Sequence, residues 1–121
     1  VSTNGTSALQ IQIGDSGGVE ITGYTSSAST GSSANANSST GFMSTPSVSA
    51  SATVDGAINL FLANSSAYSW VASGVLGSSD SGTKMSGGSK SLSAELDRVR
   101  ITTVNGTDAF DAGEINIQYE I

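Results

Sequence analysis

Apolar residues recur at every second position along most of this chain and almost nowhere at the three- and four-residue intervals of a helix. ALQIQI (8–13) puts Leu9, Ile11 and Ile13 on one face, and VEITGY (19–24) does the same with Val19 and Ile21. In SVSASATV (47–54), Val48, Ala50, Ala52 and Val54 alternate with hydroxyl residues, the pattern of a strand that faces small neighbours. AINLFLA (57–63) sets Ile58, Leu60 and Leu62 on the face opposite Phe61, and YSWVASGVLG (68–77) carries Tyr68 and Trp70 on a shared face, followed by Val71 and Val75. KSLSAELDRVRITTV (90–104) resolves into a short segment about Leu92 and a strand with Val99 and Ile101 inward. Within it only SAELDRV (93–99) has helix-forming residues, and it is too short to stand alone as a helix. EINIQYEI (114–121) aligns Ile115, Ile117, Tyr119 and Ile121. Seven or more short strands parted by Gly, Asn, Asp and Ser turns predict an all-β fold, an antiparallel β-sandwich of jelly-roll type.

The same alternation predicts a pairing. If the strands 96–104 and 114–121 form a hairpin, inward residues oppose inward residues, and one register places Val99 opposite Tyr119 and Ile101 opposite Ile117. Arg98 then lies beside Glu120, and Arg100 shares an outward strip with Glu114 and Glu120. Exposed ion pairs are worth about 0.2–1 kcal/mol, so these are expected to set register and interface rather than stability. The stretch TSSASTGSSANANSSTG (25–41) has no residue larger than asparagine. It is expected as a mobile low-complexity loop within a single domain spanning 1–121; the alternative is an ordered edge segment held against a neighbouring subunit.

Composition narrows the partners. Charged residues make up 12% of the chain, against about 25% in an ordinary soluble protein, and hydroxyl residues, amides and fifteen glycines fill the deficit. A surface of short uncharged side chains has little to keep copies apart, so it suits packing against itself. The net charge is −6 and the first basic residue is Lys84, which argues against nucleic acid and against an anionic membrane surface as partners. No apolar run approaches the ~20 residues of a membrane-spanning helix. Cysteine and histidine are both missing, so disulfides, thiolate chemistry and zinc or copper sites are not expected. Valine in place of an initial methionine is expected of a processed chain or a fragment.

Several short motifs invite chemistry. Gly14-Asp15-Ser16-Gly17-Gly18 matches the surroundings of a trypsin-like nucleophile, yet the chain has no histidine to act as base and too few residues before Ser16 to build the site. Lys84 and Lys90 lie in glycine- and serine-rich segments where nothing suggests desolvation, so a lysine base is not expected, and the pentapeptide reads as a hairpin turn. SGTKMSGGSK (81–90) lacks the order of a phosphate-binding loop and is expected as a flexible loop. Asp108, Asp111 and Glu114 offer oxygen donors at three-residue intervals, a weak calcium candidate beside the simpler reading of a solvated turn. No pair among the ten acids is singled out for glycosidase chemistry. Phe61, Tyr68 and Trp70 are candidates to stack on sugar rings, with core or intersubunit packing as the favoured alternative. Met43 and Met85 are expected as gap fillers. The sequence therefore predicts no catalytic residue, no cofactor and no resident metal.

The segment 86–120 resembles the closing part of tail-fibre or virion-appendage proteins of tailed bacteriophages. The matching residues are Gly-Ser-Lys-Ser-Leu at 88–92, Leu-Asp-Arg-Val-Arg at 96–100, the run from Ile101 to Thr107, Phe-Asp-Ala-Gly at 110–113 and Tyr-Glu at 119–120. Similarity weakens back towards Ile58, residues 1–56 match nothing, and Ile121 extends past the usual Tyr-Glu ending. The resemblance implies a non-enzymatic, trimeric β-domain on the virion surface. Its expected partners are its own copies, other virion proteins and host surface glycans. A capsid decoration protein that cements the shell is the alternative role.

Overall fold

The longest alternating runs become the longest strands. The computed structural model describes residues 1–31 and 34–120. In chain order the strands are β1 (Ser2–Thr3), β2 (Leu9–Asp15), β3 (Gly18–Val19), β4 (Thr25–Thr30), β5 (Ala34–Ser38), β6 (Phe42–Met43), β7 (Val54–Asn64), β8 (Ser69–Ser78), β9 (Lys84–Ser91), β10 (Arg98–Thr103) and β11 (Phe110–Ala112). All pairings among the described residues are antiparallel, and those residues include no helix.

A five-stranded sheet runs β5-β4-β9-β8-β7. It faces a four-stranded sheet, β10-β2-β3 with β6 also on β2, and β1 pairs with β11 beside them. The core forms where the large residues of both sheets meet. Leu9, Val48, Ala52, Val54 and Leu76 make one buried cluster; Ile13, Tyr24, Phe42, Ala72 and Leu92 make another. On β8 the alternation sends Ala72 and Leu76 into the core while Val71 and Val75 stay exposed, as a strand period of two demands. The fold is therefore an all-β sandwich, as its periodicity predicts.

The pentapeptide at 14–18 is a hairpin turn. Asp15 pairs with Gly18, and the Asp15 carboxylate accepts the Gly17 N–H at 2.9 Å. Other expectations fail for identifiable reasons. The low-complexity stretch is mostly ordered: β4 and β5 pair from Ser26 opposite Ser38 to Thr30 opposite Ala34, with residues 32 and 33 outside the described residues. Its small side chains suffice because the neighbouring elements approach closely, and Ala28 packs with Ala8 and Met43. Residues 84–90, expected as a flexible loop, belong to β9, the central strand of the larger sheet. A glycine is needed there: a Cβ on Gly88 would lie 2.4 Å from the Thr25 carbonyl and 3.2 Å from the Phe42 ring.

The alternation at 47–54 buries Val48 and Ala52 without making a strand before Val54. A turn in which Ala52 N–H bonds the Ser49 carbonyl bends the chain, with Ser51 at φ 64°. Of 19–24 only Val19 is in a strand; the chain then leaves the sheet, exposing Ile21 and burying Tyr24. The largest correction concerns the C-terminus. β10 pairs with β2, placing Val99 opposite Ile13 and Ile101 opposite Ile11, and, among the described residues, 114–120 pair with no strand. The predicted Val99–Tyr119 and Arg98–Glu120 neighbours do not meet within the chain. β11 is drawn to β1 instead, which removes the intended partner from the free edge of β10.

Candidate functional site

The lysines, expected in mobile segments, are buried: Lys84 is 1% and Lys90 7% exposed. Six residues apart, they share the inward face of β9. Each is compensated, as a buried charge must be. Lys84 Nζ lies 3.1 Å from Asp80 Oδ1 and donates to Ser81 Oγ at 2.7 Å. Burial would raise the Asp80 carboxyl, but the Ser78 hydroxyl, the Ser49 N–H and Lys84 outweigh it and hold it far below the usual carboxylate range.

Lys90 anchors a second polar cluster. Its Nζ is 2.9 Å from Glu20 Oε1 and 5.3 Å from the centre of the Tyr24 ring. Ser93 Oγ sits 2.7 Å from Asp15 Oδ2 and 3.0 Å from Glu20 Oε2, so its one proton is shared between two carboxylates. The Ser93 N–H also reaches Glu20. Tyr24 completes the knot: its hydroxyl accepts the Ile13 N–H at 2.9 Å and donates to the Glu20 carbonyl at 2.7 Å, while its ring meets Phe42 edge-on at 5.1 Å.

A serine beside carboxylates and a lysine has the outline of a nucleophile with its base. The electrostatics point elsewhere. The Ser93 hydrogen bond, with the Gly17 N–H, lowers the Asp15 carboxyl, and Glu20 is lowered because Lys90 and Ser93 outweigh its burial. A carboxylate held below its usual range is a poor acceptor for a hydroxyl proton at neutral pH. What the cluster does physically is tie the β2–β3 hairpin to the connection between β9 and β10. None of these residues stood out in the sequence as a partner of another, because they are up to 78 positions apart. The one available signal was the scarcity of charge, which makes two lysines on one face of one segment unusual.

The other candidates are dispersed. Asp108 is lowered by hydrogen bonds from the Asn105 amide and the Ser7 N–H, Asp111 accepts the Ser2 hydroxyl at 2.6 Å, and Glu114 is exposed in the unpaired tail. No three acidic residues gather into a metal-binding group among the described residues. Tyr68 lies in the turn before β8 at φ 50°, so it does not share a strand face with Trp70. Phe61 opposes Val71 on the outer face of the larger sheet, and Trp70 opposes Leu62 towards the inner one. The three rings form no common platform. Met43 is buried as a gap filler, whereas Met85 is exposed.

Two surfaces remain. The outer face of the five-stranded sheet carries a row Phe61-Val71-Ser89-Thr25, a row Asn59-Ser73-Gly87-Ser27-Asn37 and a row Ala57-Val75-Met85-Ser29-Asn35, with no charged residue in any of them. Its β7–β9 half sets Phe61, Val71, Val75 and Met85 among Asn59, Ser73, Gly87 and Ser89, and its β4–β5 half is hydroxyl and amide. Between the free edges of β7 and β10 an open cleft of about 1250 Å³ is lined by Ile58, Leu60, Trp70, Leu96, Val99 and Ile101 and overhung by residues 114–120. Trp70 Nε1 is buried at this cleft with no hydrogen-bond partner. Comparison with known protein families, curated proteins and solved structures finds no match.

Proposed function

We propose that this chain is a non-enzymatic structural protein of a bacteriophage virion surface, a jelly-roll-like domain that acts as a homotrimer in a tail fibre or related appendage. The observation that carries the reading is the outer sheet face. It offers Phe61, Val71, Val75 and Met85 to solvent beside hydroxyl and amide residues, and its one charged side chain among the described residues, Asp55, sits at its end in an ion pair with the Val1 ammonium. The resemblance of residues 86–120 to phage appendage proteins supplies the biological setting. In this reading the β7–β9 half of the face meets virion proteins. The serine- and asparagine-rich half, next to a shallow hollow of about 690 Å³ lined by Tyr24, Ser27, Asn37 and Gly87, meets host surface glycans.

Electron microscopy of intact virions carrying a gold-labelled antibody against this chain tests the proposal. Label on the tail is expected, together with inhibition of infection when host cells are preincubated with the purified protein. Label on the shell, with a raised melting temperature of empty capsids on adding the protein, would replace the fibre role by capsid decoration. Virions without label would remove the structural role altogether.

A further inference from the structure

The C-terminal segment has the sequence of a strand and the surroundings of a loop end. From Glu114 to Glu120 the apolar residues Ile115, Ile117 and Tyr119 alternate with polar ones, yet these three are 48%, 57% and 83% exposed. Among the described residues, none from 114 to 120 pairs with a strand. An amphipathic segment with its apolar side chains about half or more exposed leaves apolar area that strand pairing would bury.

The partner's features are present in the same molecule. β10 is the terminal strand of its sheet, so one row of its backbone donors and acceptors faces outward. Its inner side chains, Val99 and Ile101, border the cleft and are half-buried. Its outer side chains include Arg98 and Arg100. A strand laid antiparallel on that edge with Tyr119 opposite Val99 and Ile117 opposite Ile101 extends the apolar lining of the cleft and puts Glu120 beside Arg98. Pattern, length and charge all match the segment 114–120.

In its own copy the segment is anchored at its start and is not paired with that edge. Val1 and Val54 exchange two backbone hydrogen bonds of 2.8 Å, which fixes the N-terminus against β7. β11 pairs with β1, and Gly113 passes so close to Val1 that an added Cβ would be 2.6 Å from the Val1 Cα. The tail thus starts at Gly113, beside a Val1 held against β7, and overhangs the cleft. In the same copy Ile115, Ile117 and Tyr119 border the cleft without pairing to β10, so that edge stays open to the same segment of a second copy.

We infer that residues Glu114–Glu120 are a donated strand, which adds to the β10 edge of a second copy of this chain and fills that copy's cleft. The donation is head-to-tail, so repetition closes a ring in which each copy gives one strand and receives one. The inference rests on the self-association in the functional reading and not on the virion location. It names the device by which copies hold together.

The chain has no cysteine, so introduced thiols report cleanly. Two differently tagged versions of the full chain, one Arg100→Cys and one Gln118→Cys, are co-expressed and oxidised; these positions are opposite in the stated register. A disulfide between the two tags is expected. A single chain carrying both substitutions is expected to form linked multimers, and an intrachain disulfide in it would show that the tail serves its own copy. Light scattering supplies the second arm. Truncation after Gly113, or Ile115→Lys with Ile117→Lys, is expected to lower the mass from that of the assembly to one chain while the cooperative unfolding transition persists. A full chain that is monomeric, a truncated chain that keeps its assembled mass, or tags that link only to a different protein would each overturn the inference. Virion labelling is independent of these outcomes, so a labelled virion with an oligomeric truncated chain would reject the donated strand alone.

Discussion

The two sides of the sandwich handle unpaired groups in opposite ways. On the side of β2, β3 and β6, buried polar atoms find partners: Tyr24 satisfies Ile13, Lys90 satisfies Glu20, and the Gln12 amide donates to the Thr40 carbonyl at 2.8 Å. Met43 N–H bonds Ser26 Oγ at 2.8 Å and Leu9 N–H bonds Thr45 Oγ1 at 3.0 Å. On the side of the β7 and β10 edges the cleft is open, the Trp70 indole N–H is unpartnered, and the tail is unpaired. On the proposed reading, the difference separates what the chain completes alone from what another copy completes. Buried polar networks are rigid when every member is satisfied, whereas an unmatched apolar edge is the usual mark of an interface.

Breaking a satisfied buried polar pair should be costly. Asp80→Ala leaves the Lys84 ammonium, which is 1% exposed, without its counter-charge and frees the Ser49 N–H. Removing one partner of a buried pair predicts a loss of about 3 kcal/mol in urea unfolding, and Asp80→Ala combined with Lys84→Met should recover most of it. A single substitution that costs as little as the double would mean that the pair is not buried in solution. Tyr24→Phe removes one hydroxyl that serves the Ile13 N–H and the Glu20 carbonyl. The expected cost is about 1–3 kcal/mol, read as a lower denaturation midpoint at unchanged slope.

These partners show where sequence reading reaches its limit. β2, β7, β8 and β10 are legible because Leu, Ile, Val and aromatic residues mark their faces. β4, β5 and β9 are not, since serine, alanine and glycine give the same period no contrast in size. The Glu20–Lys90 and Asp15–Ser93 contacts span 70 and 78 residues, and no local spacing encodes them. At 114–120 the alternation is legible but its partner is not: period two announces that a strand will form and is silent about which edge receives it.

Acid should sharpen the contrast by loosening the satisfied polar networks first. Asp15, Glu20 and Asp80 all have carboxyls held below their usual values in the folded chain. For a group whose folded value is depressed, the stabilisation is complete above the unfolded value and is lost as pH falls through the folded one. Thermal midpoints should therefore be level from about pH 7 to about pH 5 and decline below about pH 4, the ordinary carboxylate range. Asp80→Asn should flatten part of that decline. A midpoint that rises on acidification would contradict the hydrogen-bond assignments of all three carboxylates.

The smallest effect should come from the exposed apolar face, where a large chemical change meets almost no packing. Phe61 is 59% exposed and its cross-strand neighbour Val71 is exposed as well, so Phe61→Ser removes little buried area. Substitutions at such positions usually stay within about 0.5 kcal/mol, and the unfolding free energy of the variant should do the same. The informative quantity is the assembled mass. If the tail binds copies through β10, this face is not used between them and Phe61→Ser leaves the mass unchanged; on the proposed virion role it also weakens attachment to virions. If the mass falls instead, the copies meet through the sheet face, and the open cleft must be filled in some other way.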